Sequence, residues 1–149
     1  MAIYNSPAVI NRVPTTSHGL FGNVKEETAT ITLTAVPTTA DILNFFTIPR
    51  MSIILGATVA VSQIDSNVSP TVTLNIGDAA VPGRLFNGTT TVGRLAPGSV
   101  SSALAFGGYG YLYTADTVIT GSVGANAATG VAGATVQLTV MYAPIGGPS

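Results

Sequence analysis

Apolar and polar side chains alternate with period two through most of this chain, and that spacing predicts strands. The clearest stretch is Thr71–Ile76, where Val72, Leu74 and Ile76 alternate with Thr71, Thr73 and Asn75, the pattern of a sheet with one buried face. Gly77-Asp78 interrupts it, Pro82-Gly83 signals a turn, and Arg84-Leu85-Phe86 reads as a short return strand closed by Asn87-Gly88. The same alternation predicts a half-buried strand over Thr28–Val36, with Ala29, Ile31, Leu33 and Ala35 on one face. It predicts a last strand over Ala134–Ala143, with Val136, Leu138, Val140 and Tyr142 on one face.

Less regular apolar runs fill the space between. Ile42–Ile48 is a strand ended by Pro49-Arg50. Ser52–Ile64 is a long strand whose internal Gly56 predicts a bulge or a close backbone approach. Thr89–Leu95 reads as a short strand, and Ala103–Gly108 as an apolar loop or short strand. Gly110–Thr114 and Thr117–Val123 flank Ala115-Asp116 as a hairpin with a two-residue loop. No stretch carries a helical period. Eight or nine short strands separated by turns predict an all-β, antiparallel sandwich, jelly roll or barrel.

Residues 1–24 break this pattern. Pro7, Pro14, Gly19, Gly22 and three asparagines prevent a continuous element. Yet Ile3, Tyr4, Val9, Ile10, Val13, Leu20 and Phe21 are more apolar than a solvated tail requires. The division expected is an N-terminal arm over 1–24 and a single β-sandwich domain over 25–149. The arm either packs on its own domain or lies on a neighbour, and Ile3, Tyr4, Val9 and Ile10 are its candidate contact residues.

Composition sharpens the picture at one point. Only 7% of the 149 residues are charged, against about 25% in an ordinary globular protein. No Asp, Glu, Lys or Arg follows Asp116. A surface so poor in charge is either a Thr/Ser-covered sheet or a surface covered in an assembly. The net charge of -1 implies no electrostatic attraction to nucleic acid or to an anionic membrane. No apolar run approaches the ~20 residues of a spanning helix, and no basic segment followed by an apolar run marks a targeting signal. There is no cysteine, hence no disulfide and no thiolate chemistry.

The residues that catalysis needs are mostly missing. The one histidine, His18, sits in the irregular arm, and no Gly-x-Ser-x-Gly elbow is present. Asp41, Asp65, Asp78 and Asp116 each fall in a predicted turn, where Asp accepts local backbone N–H groups. No calcium-loop or phosphate-loop spacing occurs, although Asp41, Asp65 and Asp116 could meet at one end of a sandwich. The chain is therefore expected to be no enzyme and to need no cofactor or metal. Asp78 and Arg84 flank the Pro-Gly turn and are expected to pair across it as a structural pair. Tyr109, Tyr111 and Tyr113, spaced by two, are expected on one face of a strand. There they form either a cross-strand packing row or a contact surface for a partner.

The segment Thr71–Gly88, with its Ile-Gly-Asp, Pro-Gly and Arg-Leu-Phe sequence, resembles small structural proteins of tailed bacteriophages, and the β-rich capsid decoration (cement) proteins above all. Leu43–Met51 before it and Gly110–Thr117 after it extend the resemblance to about residues 28–142. The resemblance favours a jelly roll among the open architectures. It implies a virion protein that cements a capsid from outside, over junctions between major capsid subunits. The implied partners are further copies of the chain, as a homotrimer, and the major capsid protein, with no direct contact to nucleic acid or membrane. Assembly would take place in the cytoplasm of the host bacterium. Other readings of an all-β, charge-poor chain are a carbohydrate- or receptor-binding module using tyrosine stacking, and a tail, neck or baseplate component.

Overall fold

The computed structural model describes residues 1–5, 24–89, 101–103 and 108–145. Ten strands occur among them: β1 (Ile3–Asn5), β2 (Lys25–Thr32), β3 (Ile42–Ile48), β4 (Ser52–Val61), β5 (Thr73–Gly77), β6 (Phe86–Thr89), β7 (Ser101–Ala103), β8 (Leu112–Tyr113), β9 (Thr117–Ala125) and β10 (Thr135–Pro144). One sheet has the order β1-β3-β9-β5-β6. The other has the order β2-β10-β4-β7, with β8 also on β4. From β2 onward successive strands alternate between the sheets except at the β5–β6 hairpin and at β7–β8, where both strands lie in one sheet. The orders β3-β9-β5-β6 and β2-β10-β4-β7 are those of a jelly roll. β7 pairs with Val59–Val61 and β8 with Ser52–Ile53, so the two share one position beside β4.

The alternation seen in the sequence accounts for the core. Val136, Leu138, Val140 and Tyr142 of β10 are all fully buried, as are Val59 and Val61 of β4, and they face Leu43, Phe45, Ile48, Ile76 and Ile119 of the other sheet. Bulges mark where strict alternation fails. The β3–β9 register shifts between Asn44 and Phe46, which lets Phe45 and Phe46 both turn inward. Opposite Met141/Tyr142 the β4 register skips Leu55, next to Gly56, where an added Cβ would meet the Met141 methyl at 2.7 Å.

Three expectations change. The strand after the Pro-Gly turn starts at Phe86 and runs to Thr89. Arg84 and Leu85 belong to the turn, because the Arg84 N–H donates to Val81 O to close it. Ala115-Asp116 does not close a hairpin: β8 pairs with β4, and β9 pairs with β3 and β5. The two segments diverge into different sheets because each finds its apolar partners there. The first strand also begins at Lys25 and ends at Thr32, leaving Ala35 exposed. The strand expected at Thr89–Leu95 lies outside the described residues beyond Thr89, as do residues 104–107 of the Ala103–Gly108 run.

Candidate interaction surfaces

The β3–β4, β5–β6 and β8–β9 connections meet at one end of the sandwich, and the Asp78 turn organises it. Asp78 Oδ1 accepts the N–H groups of Ala80 at 3.0 Å and Val81 at 2.8 Å. Its Oδ2 accepts from Arg84 Nε and from the Tyr113 hydroxyl at 3.0 Å. Burial would raise the Asp78 carboxyl, but Arg84, the Val81 N–H and Tyr113 outweigh it and hold it below its ordinary value. The Tyr113 hydroxyl is pushed up, by its own burial first and then by the Asp78 carboxylate. The Arg84 guanidinium lies 3.7 Å from the Tyr111 ring centre, a cation–π contact. Tyr111 in turn meets Tyr113 edge-on, centroids 4.9 Å apart at 76°. A turn of one sheet is thereby clamped to a strand of the other. Every charged group in the clamp has a partner within it. What it offers outward is the half-exposed Tyr111 beside a shallow, small-residue cleft lined by Ala79, Ala80, Thr114 and Ala115.

The three tyrosines do not share one face. Gly110, at φ 75°, and the Tyr111 N–H to Gly108 O bond make a turn that breaks the strand before Leu112. Tyr113 is buried, Tyr111 covers Arg84, and Tyr109 is 73% exposed. Of the arm residues, Ile3 is exposed and Tyr4 packs partly on the core. Val9, Ile10 and His18 lie outside the described residues.

The other end of the sandwich is pinned by two buried aspartates. Asp65 accepts four backbone N–H groups, from Asn67 (3.1 Å), Thr71 (2.9 Å), Ala128 (2.9 Å) and Thr129 (3.0 Å), tying the β4–β5 loop to the β9–β10 loop. Burial raises the Asp65 carboxyl, and the four donors outweigh it and hold it far below the usual carboxylate range. Asp41 accepts the Ala2 N–H at 2.7 Å and the Thr38 N–H at 2.9 Å, and the Ala2 bond leads in lowering its pKa. Asp116 sits at the opposite end, accepting the Arg50 N–H at 2.8 Å, so the three carboxylates do not converge. Among the described residues no group of three or more His, Cys, Asp or Glu could hold a metal ion. The sequence marks Asp65 as a turn residue, but two of its four donors lie more than sixty positions away and carry no local signal.

The broad faces between the two ends have a property that neither end shares. The five strands β1, β3, β5, β6 and β9 contain no charged residue, and in the other sheet charge is confined to Lys25, Glu26 and Glu27 on the edge strand β2. Ile42 and Val118 are exposed on the uncharged sheet, and Val118 is the register partner of Thr47. The outer face of the other sheet carries cross-strand polar pairs, Thr28–Thr139 at 2.7 Å and Thr30–Gln137 at 3.1 Å.

The sequence matches no established family model and no curated protein. Among solved structures, a chain of the cyanophage Pam1 capsid asymmetric unit is 32% identical, with a TM-score of 0.70 over 89% of this chain and 92% of that one. The chain belongs to a family of phage capsid-associated proteins. A chain from the capsid of Ralstonia phage GP4 has the same fold, with a TM-score of 0.81 over 99% of both chains at 24% identity. This kinship supports a structural role in a virion. The carboxylates described above are spent on backbone N–H groups, on Arg84 and on Tyr113, and the broad surfaces are left neutral.

Proposed function

We propose that this capsid-associated protein is a decoration protein, cementing the outside of a phage capsid over junctions between major capsid subunits as a homotrimer. The observation that carries the reading is the 32% identity, over nearly the full length of both chains, to a chain of the Pam1 capsid. The neutral sheet faces support it, since they can be buried against another protein without stripping water from charges, the costly step in forming an interface. In this reading the exposed Ile3, Tyr109 and Tyr111 contribute to contacts with other copies or with the capsid, and Tyr4, Val9 and Ile10 belong to the same arm. Tyr113 acts indirectly, by holding the Asp78–Arg84 clamp that props Tyr111. Several modest contacts per copy sum through linkage in the oligomer, which is how a small protein can resist outward pressure on a shell. No reaction is assigned to it.

The test is solution mass by light scattering, followed by co-sedimentation with empty capsids of its phage. A mass near three times 15.0 kDa that does not change on dilution, together with binding that raises the temperature at which capsids rupture, is the expected result. A monomer that stays in the supernatant overturns the reading.

A further inference from the structure

Strand β1 occupies the edge of the uncharged sheet in a manner unlike any other described strand. It runs parallel to β3, with Ile3, Tyr4 and Asn5 beside Ile42, Leu43 and Asn44, whereas every other described strand pair is antiparallel. Main-chain and side-chain bonds hold it there. The Ala2 N–H enters the buried Asp41 carboxylate at 2.7 Å, the Ile42 N–H donates to Ala2 O at 3.1 Å, and the Asn44 amide donates to Asn5 Oδ1 at 2.9 Å. Tyr4 packs partly on the core. Without β1, β3 would be a bare edge, and Asp41 would lose its shortest hydrogen bond.

The length of chain that follows is out of proportion to a local connection. Asn5 and Lys25 lie on facing edges of the two sheets, since β1 also touches β2. The sheets of a sandwich stack ~10 Å apart. About 20 residues join them, with a reach of roughly 60 Å when extended at ~3.3 Å per residue. That reach allows β1 to seat on its own β3 or on the β3 edge of an adjoining copy. Exchange of an identical element replaces a contact with the same contact in another subunit, so it costs little and links copies into a closed ring.

We propose that β1 is exchanged between copies, so that the β3 edge of each subunit seats the Ile3–Asn5 strand of a neighbouring copy of this same chain. This rests on the self-association proposed above and names the element that creates it. The seat fits this chain's own strand through the Asn5–Asn44 amide bond and the packing of Tyr4 on the core, while Asp41 accepts a backbone N–H that any strand could supply.

The chain has no cysteine, which makes the test direct. Ile3 and Ile42 are register partners with both side chains exposed, and neighbouring strands lie ~4.8 Å apart, within the Cα range that a disulfide needs. Ile3→Cys and Ile42→Cys, carried on differently tagged copies and co-expressed, should oxidise to a mixed covalent dimer on a non-reducing gel. The double variant should give a ladder up to the oligomer. Asn5→Cys with Asn44→Cys, in the same register, repeats the test should the first pair fold poorly. A double variant that oxidises wholly within single chains, with no mixed dimer from the single variants, overturns the exchange. So does failure of both pairs to form any bond. Light scattering on the same samples separates the two proposals: an oligomer with within-chain bonds removes the exchange and leaves self-association standing, while a monomer removes both.

Discussion

Asp65 shows how much one side chain can hold. Its carboxylate carries a full charge inside the protein, and four N–H groups from two loops replace the water it has lost. Asp65→Ala strips those donors of their acceptor and should lower stability by about 3 kcal/mol or more. In a domain of this size that is a fall in Tm of roughly 6–12 °C. Asp116→Ala, which removes one exposed bond to the Arg50 N–H, should stay within about 1 kcal/mol in the same urea titration. The pH dependence follows from the same geometry. Asp41, Asp65 and Asp78 all have lowered pKa values in the folded protein, while in the unfolded chain they protonate near the ordinary value of about 3.9. Below that value the unfolded state binds more protons, so acid favours unfolding. The stability these groups supply should be fully present above about pH 5 and fall steadily from pH 4 downward. Glu27 acts in the opposite sense. Its pKa is raised, chiefly by burial and against the pull of Lys25 and Tyr142, so its contribution declines as pH rises above about 4.5. Urea midpoints from pH 2.5 to 7 check both trends, and Asp65→Asn should flatten the acid limb.

At the scale of elements, the β5–β6 hairpin and the β4 bulge each contain a glycine, for different reasons. At Gly77 an added Cβ would run into three backbone atoms of the turn, Val81 O, Arg84 N at 2.6 Å and Pro82 O at 2.8 Å. The turn has to pass that close for Asp78 to reach Arg84. Gly77→Ala should therefore cost more than about 3 kcal/mol, since backbone cannot step aside. At Gly56 the obstacle is the tip of the flexible Met141 side chain, which can swing away, so Gly56→Ala should lie within about 1 kcal/mol of the parent. Thermal melts of the two variants decide the order. The elements also show where the sequence is legible. Strands β2, β5 and β10 follow the alternation closely because each buries one continuous face. The Ala115-Asp116 connection misleads because two adjacent strands joined by two residues look alike whether they pair with each other or part into facing sheets. The tyrosine spacing misleads for a related reason, since the turn around Gly110 ends the strand that the spacing assumes.

At the scale of the whole molecule, charge is distributed to a purpose that composition alone only hints at. The five strands of one sheet have no charge at all, and the other sheet keeps its charges on one edge. Association through such faces draws on burial of apolar and hydroxyl-bearing surface, which salt does not screen, in contrast to ion pairs. The mass of the proposed oligomer, measured by light scattering, should then be unchanged between about 0.05 and 1 M NaCl. Dissociation at high salt would instead place Lys25–Glu27 or the arginines at the interface.

By itself the sequence determined the all-β class, the core faces of the best-patterned strands, the poverty of catalytic groups and, through the Thr71–Gly88 segment, the kinship with phage virion proteins. These are legible because side-chain period, composition and turn chemistry are local properties. Only the tertiary structure decided which strands share a sheet, that Asp65 binds two loops while Asp41 seats β1, that Tyr111 and Tyr113 clamp Arg84 and Asp78, and that the uncharged strands gather into one sheet. Those relations join residues tens of positions apart, and a one-dimensional pattern carries no term for the order in which a jelly roll lays its strands side by side.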